Sequence, residues 1–241
     1  MPANPNVQIF NQDVLKQGGY VYTTTMNLSA RLATQRTIDA ILETDLFKER
    51  SVLDMGCGDG FYTMRFWDNG KPRAMIGVDA AAQAIIIANQ NKLNRPIKFA
   101  IADAHHLPWV NDSFDLVIIQ SILHHDDFPE DLIREAFRLA PIILIHEPNG
   151  NNPGLKVIEK LSSYHRAHNE RSYHSSQFQR WITQSNGRIV YRRFAGFVPM
   201  FCQDWFAKIA KWFEPAIETI PVVRDIASSV VVIIAKRLDY E

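Results

Sequence analysis

Two cysteines, Cys57 and Cys202, are all that 241 residues carry, and they form no CxxC pair. That argues against a disulfide framework and fits a reducing compartment. No charge of one sign dominates either. The chain has 26 Lys and Arg against 26 Asp and Glu, so no basic excess points to a nucleic-acid partner. Long apolar runs are missing. The longest, residues 226–235, is about half a membrane span and contains two serines, which argues against stable membrane insertion. The opening MPANPNVQIFNQ is polar and contains proline, unlike a secretory signal. Internal repeats and low-complexity segments are absent as well. These absences leave a soluble chain expected in the cytoplasm. Its 46% hydrophobic content suffices for a sizeable core, and its length predicts a single domain over residues 1–241. The oligomeric state is left open.

What is present is a regular alternation of strand and helix. Residues 1–27 show little periodicity and carry Gly18-Gly19, so they read as an irregular arm. Over 28–47, Leu32, Ile38, Ile41, Leu42 and Leu46 recur at helical spacing. Strands are predicted at 52–55, 74–78, 97–102, 115–120 and 142–146. Helices fall between them at 62–67, 81–93 and 129–139, the last with proline in its first turn. Runs such as LVII and IILI are continuously apolar, the pattern of parallel strands covered on both faces. After Pro148 come the loop NGNNPG, helices around 155–161 and 175–185, and strands at 189–194 and 229–235.

The most informative stretch is VLDMGCGDG, residues 52–60. A strand that runs into Gly56, Gly58 and Gly60 and turns directly into a helix brings bare backbone close to a ligand, because a Cβ would occupy the ligand's space. The helix N-terminus behind the turn offers unpaired N–H groups and a partial positive charge. The spacing G-C-G-D-G is one residue tighter than the dinucleotide pattern G-x-G-x-x-G. Asp54, just before the turn, is awkward beside a pyrophosphate but suits a ligand carrying an ammonium group. Asp79 ends the second strand, 19 residues beyond Gly60, where a carboxylate can accept hydrogen bonds from both hydroxyls of a ribose. Asp103 ends the third strand, placed for an exocyclic amine. Any one of these acids could simply cap a helix. All three at successive strand ends, together with the glycines, are hard to explain that way.

VLDMGCGDG, GVDA and ADAHHLPWVNDSFDLVIIQSILHH, in this order and spacing, resemble the ordered motifs of class I S-adenosylmethionine-dependent methyltransferases. The resemblance is closest to the small-molecule group that includes the ubiquinone and menaquinone enzymes. It covers about residues 35–148, and the flanks match in layout only. It implies a Rossmann-like α/β three-layer sandwich with a seven-stranded, mostly parallel sheet of order 3-2-1-4-5-7-6. The last strand would be antiparallel, with a helical insertion before it. The implied cofactor is S-adenosyl-L-methionine. Asp54 and the loop residues Gly56, Cys57, Gly58 and Gly60 would take its methionine part, and Asp79 with Ala80 the ribose. Asp103 and Ala104 would take the adenine, and Gln120 and Ser121 would lie near the methionyl group. Residues 1–48 then form an N-terminal arm and helix, 49–148 a cofactor-binding core, and 149–241 the substrate-side helices and antiparallel edge.

Methyl transfer from a sulfonium is an in-line displacement in which the cofactor supplies most of the reactivity. The protein must hold the nucleophile about 3 Å from the methyl carbon, in line with the departing sulfur. A hydroxyl or acidic carbon as acceptor also calls for a base, and a histidine of near-neutral pKa suits that task. His124 and His125 follow the fourth strand, and His146 and Glu147 end the fifth, on the edge where open α/β sheets bind ligands. These four are the catalytic candidates. The histidine pair could instead cap the next helix and pack around the cofactor. Glu147 could orient an imidazole, a substrate amine or the loop behind it.

His165, His168 and His174 lack the helical spacing of a zinc protease, and no cysteine completes a tetrahedral set. No metal is expected; a polar, substrate-facing cap is. In FVPMFCQDWFAKIAKWFEPAIETIPVV, residues Phe201, Trp205, Phe206, Ile209, Trp212 and Phe213 recur at helical spacing. That face packs on the sheet, walls an apolar acceptor pocket, or touches a membrane interface. Together these features predict an enzyme moving a methyl group to a small, aromatic or lipophilic acceptor at oxygen or carbon. The alternatives are an N-methyltransferase needing no base, a dehydrogenase, and a non-catalytic cofactor-binding module. Amino-directed DNA enzymes carry an NPPY-like motif after strand four, where SILH stands here. With the neutral charge, this speaks against a nucleic-acid acceptor.

Overall fold

The structure is a computed structural model and describes residues 5–20, 24, 27–162 and 170–240. In chain order it contains α1 (Pro5–Gln17), α2 (Leu28–Leu42), β1 (Ser51–Met55), α3 (Phe61–Gly70), β2 (Ala74–Asp79) and α4 (Ala82–Asn91). Then follow β3 (Lys98–Ile101), β4 (Leu116–Gln120), a short 3-10 turn (Leu123–His125), α5 (Pro129–Leu139) and β5 (Ile142–Pro148). The C-terminal part holds α6 (Pro153–Leu161), α7 (Ser175–Gln184), β6 (Gly187–Ala195), α8 (Asp204–Thr219), α9 (Val223–Ala227) and β7 (Val230–Arg237).

The strands form one sheet of order β3-β2-β1-β4-β5-β7-β6. Pairs from β3 to β5 are parallel, and β7 runs antiparallel to both β5 and β6. This is the expected Rossmann-like architecture. Side chains alternate across it. Val52, Leu116, Ile118, Ile142 and Leu144 face Ile41 and Phe66 on one side. Leu53, Val117, Ile119, Ile143 and Ile145 face Leu132, Phe137, Phe178 and Ile182 on the other. With both faces covered, β4 is buried throughout and β5 up to its last residue, which is why they read as unbroken apolar runs. The strand order reverses between β1 and β4, so the connections diverge there and open a crevice at the carboxyl ends of the strands.

Three expectations need correction. The arm is not irregular, because α1 packs on α4. Val14 is buried beside Ala81 and Ala84, and the Gln83 backbone N–H donates to Asn11 Oδ1 at 3.0 Å. Both contacts are tertiary, made with α4, and no local spacing announces them. The helix predicted over 28–47 stops at Leu42. Asp45 and Glu49 turn the chain through the left-handed region, and Phe47 folds back to stack on Phe66 with ring centroids 5.1 Å apart.

The third correction concerns α8, whose aromatic face does not pack on the sheet. Its inner face is Ala207, Ala210 and Glu214, and the helix lies against α2. Two of its acids, Glu214 and Glu218, point inward. Glu218 takes Arg36 Nε at 2.7 Å and Nη2 at 2.6 Å, and the Gly196 N–H at 2.8 Å. Glu214 accepts from the Phe197 N–H at 2.9 Å. Small residues let the helix approach closely, and the pairing with Arg36 satisfies the buried charge. Trp205 (61% exposed) and Trp212 (76% exposed) are left facing outward.

Candidate active site

The glycine turn is anchored to the neighbouring strand, since the Gly56 and Cys57 N–H groups donate to Val78 O at 2.8 and 2.9 Å. Gly56 and Gly58 have φ of 78° and 56°, a left-handed region where side chains are strained. The turn therefore needs glycine for its own backbone as well as for close approach. A Cβ on Gly58 would also stand 2.6 Å from the ring of Tyr20. The arm lays Tyr20 over the turn, and its N–H donates to Asp59 Oδ2 at 3.2 Å. Asp79 holds the far side, accepting from the Gly58 N–H at 2.9 Å and the Ala81 N–H at 2.7 Å. Burial raises its carboxyl above the usual range. Asp54 lies beneath, accepting from Thr63 Oγ1 at 2.6 Å. Burial pushes it up to about 7, against the pull of that hydroxyl.

The turn opens on a cavity of about 1380 Å³. Ten of the eleven predicted cofactor residues line it: Asp54, Gly56, Cys57, Gly58, Asp79, Ala80, Asp103, Ala104, Gln120 and Ser121. Gly60 does not. It caps α3 with φ 75°, and an added Cβ would meet Phe99 at 2.8 Å. Of the catalytic candidates, His124, His125 and His146 line the cavity.

Glu147 lies behind the wall, 0% exposed. Its Oε1 accepts the N–H groups of Ile122 at 3.0 Å and Leu123 at 2.8 Å, and its Oε2 lies 2.6 Å from His124 Nδ1. Burial raises this carboxyl to about 7, although the backbone donors oppose it. His146 is buried and lowered to about 4 by desolvation, so it is neutral at physiological pH. Among the described residues, His146 Nε2 and both polar atoms of the Gln120 side chain have no hydrogen-bond partner. Leaving such groups unpaired costs about 1–3 kcal/mol each. A polar ligand in the cavity would satisfy them.

The rest of the cavity was not found by sequence reasoning. Leu155 and Ile158 of α6, with the loop 197–202, supply an apolar end. The exception is Phe201, one of the aromatic residues expected to wall an apolar pocket, which lines the cavity from the loop before α8, whereas Trp205, Phe206, Ile209, Trp212 and Phe213 do not. Tyr20, Asp59, Glu170 and Ser172 also line the cavity. Only Asp59 carried a local signal, as a member of the glycine turn. His174 lies outside the lining. It caps α7 and places Nδ1 3.1 Å from Asn151 Oδ1. His165 and His168 fall outside the described residues. His124, His125 and Glu170 bring one ligating atom each within 4.8 Å of one another. Glu147 engages the same His124 through Nδ1.

A parallel sheet with a glycine turn at its switch point and acids at the ends of β1 and β2 defines a Rossmann-like, nucleoside-cofactor-binding protein. Sequence comparison narrows this. The family model described as a methyltransferase domain matches residues 46–195, more than half of the chain. The chain belongs to that family, with the class I fold and S-adenosylmethionine as cofactor. The glycine cradle, the buried acids and the unsatisfied polar floor fit this molecule.

It is similar to norajmaline N-methyltransferase of Rauvolfia serpentina, 27% identical over 71% of this chain and 66% of that protein. It is also similar to tRNA U34 carboxymethyltransferase of Sulfurimonas denitrificans, 24% identical over 38% of this chain and 31% of that one. The chain thus spans two thirds or less of the length of these curated relatives. Among solved structures, magnesium protoporphyrin IX methyltransferase of Synechocystis PCC 6803 with bound S-adenosylhomocysteine shares the fold. Its TM-score is 0.64 at 15% identity, over 88% of this chain and 89% of that one.

Proposed function

We propose that the protein transfers a methyl group from S-adenosylmethionine to a hydroxyl or acidic carbon of a small lipophilic acceptor. His124 is the base and Glu147 its positioning residue. The observation that carries this is the 2.6 Å pair of Glu147 and His124 on the cavity wall. Donation from Nδ1 to the carboxylate fixes the tautomer in which Nε2 is the proton acceptor, and it stabilises the imidazolium that forms. His146, at about 4, is too weak a base for this work at neutral pH. It acts with Gln120 as a neutral hydrogen-bonding floor.

The cofactor, when bound, supplies an electrophilic methyl group on a sulfonium. Bound there, it would give that methyl to the acceptor and leave as the neutral thioether, so the part of this chain is to place the acceptor and take its proton. The acceptor's proton passes to His124 Nε2. On this reading the glycine turn and Asp54 hold the methionine end, Asp79 and Ala80 the ribose, and Asp103 and Ala104 the adenine. The cavity exceeds the roughly 300–1,000 Å³ of single-ligand pockets, which leaves room for an acceptor against Leu155, Ile158 and Phe197. Balanced charge favours a small molecule over tRNA.

The test is S-adenosylhomocysteine release with a panel of hydroxyl, carbon and amine acceptors. His124→Ala is expected to lower kcat by about 10²–10⁴ on a hydroxyl acceptor while cofactor affinity is unchanged. The similarity to an N-methyltransferase supplies the second reading. An amine needs no base, so wild-type turnover of an amine by His124→Ala would favour it.

Asp54 gives a pH prediction. Its folded pKa of about 7 stands above the ordinary 3.8, so in the empty protein its ionisation costs stability as pH rises through that window. An ammonium group beside it favours the ionised form. Cofactor affinity is therefore expected to rise between about pH 6 and 8, and the rise should vanish in Asp54→Asn. Calorimetric titration across that range would reveal a flat profile if Asp54 does not meet the ammonium.

A further inference from the structure

We infer that the outward face of α8 docks on the surface of a lipid bilayer. A water-facing helix ordinarily turns its apolar stripe inward, and α8 is reversed. Ala207, Ala210 and Glu214 face the protein, while Trp205, Phe206, Ile209, Trp212 and Phe213 are exposed. Scattered exposed apolar residues are ordinary, whereas a contiguous set marks a contact surface. This set continues sideways. α8 touches α9 and α9 touches α6, and those helices expose Ile226, Val157 and Leu161.

Chemistry favours a bilayer as the occupant. Tryptophan and phenylalanine beside lysine is the composition that settles at headgroup depth. The charge distribution agrees with it. Glu214 and Glu218 are turned inward onto the Phe197 and Gly196 N–H groups, and Glu159 is taken by Lys156 and the Ser172 N–H. Lys160 and Lys208 stand exposed at the flanks, with Asp204 the exposed acid at the start of α8. An outward surface with Glu159, Glu214 and Glu218 withdrawn, and with Asp225 paired to Arg224, complements anionic headgroups. The patch also reaches the cavity, because Phe201 and Ile158 are exposed and line its mouth. Among the described residues no helix is long and apolar enough to cross a membrane, so the contact lies in the plane of the interface. Resting on the proposed lipophilic acceptor, the face would let that acceptor pass from the bilayer into the cavity without crossing water.

The experiment is flotation of the full chain with phosphatidylcholine vesicles, with and without phosphatidylglycerol, in the absence of cofactor and acceptor. Wild type is expected to float with both and more strongly with the anionic lipid. Trp212→Ser/Phe213→Ser should reduce partitioning by about tenfold or more at unchanged S-adenosylhomocysteine affinity, and Lys208→Glu should remove only the anionic preference. Absence of co-flotation on either lipid overturns the proposal, as does a double variant that floats like wild type. Light scattering that shows a dimer dissolved by the double variant assigns the face to a second copy and overturns it too. Vesicle binding is read without turnover, so failure to find an acceptor and failure to bind lipid are separate results.

Discussion

Asp79→Ala is expected to weaken S-adenosylhomocysteine binding by about a hundredfold, the largest loss from any single cofactor-side change. The carboxylate stands at the junction of the glycine turn and β2, where it accepts from the Gly58 and Ala81 N–H groups. It holds the turn in its left-handed conformation, and on the proposed reading it also presents an acceptor to the ribose. Hydrogen bonds to a charged group contribute about 1.5–3 kcal/mol each. Loss of two against the ligand is about 3 kcal/mol or more, or two decades in Kd. Global stability should change less, because burial already opposes the charged form of Asp79. Calorimetry and thermal melts on the same preparation separate the two effects. Near-native affinity would mean that the ribose is held elsewhere.

Glu147→Ala is expected to cost about 3–5 kcal/mol of stability and to lower Tm by roughly 10 °C. Three donors converge on this one fully buried carboxylate, from the N–H groups of Ile122 and Leu123 and from His124 Nδ1. Leu123 is itself completely buried, so no water replaces the lost acceptor. Glu147→Gln separates folding from chemistry. Its oxygen can keep the two backbone bonds, while its amide N–H turned toward His124 forces Nδ1 to accept and Nε2 to carry the proton. That variant should fold but lose about a hundredfold or more in kcat. Burial raises the Glu147 carboxyl to about 7 from 4.5. Its stabilising contribution is therefore present at low pH and declines as pH rises through 7, and Glu147→Gln should flatten that part of the melting profile. If Glu147→Gln turns over at the wild-type rate, the pair has no part in catalysis.

The parallel core was legible in the sequence because burial on both faces writes itself as apolar runs, and because helices such as α5, found at its predicted residues 129–139, carry start signals. Asp54 and Asp79 were legible as cavity-lining residues because they stand near strand ends beside the glycine turn. The arm was not, since its helix is seated by tertiary contacts of Val14 and Asn11 with α4. α8 was misread for a different reason. Its strong apolar period is real, but periodicity gives a face without saying which side is inside. Two alanines and a salt-bridged acid won the interior through close packing on α2. The role of Glu147 was half-legible. Its place at the end of β5 was evident, whereas its engagement with the 3-10 turn depends on a tertiary contact that no local spacing encodes.

On the proposed reading, the turn at Gly56 and Gly58, closed by Asp79, holds S-adenosylmethionine and not a dinucleotide. The most direct test is calorimetric titration of the purified chain with S-adenosylhomocysteine, alone and after saturation with NAD. One S-adenosylhomocysteine is expected to bind per chain, with an affinity that NAD leaves unchanged. Stoichiometric NAD binding that displaces or replaces S-adenosylhomocysteine would contradict it.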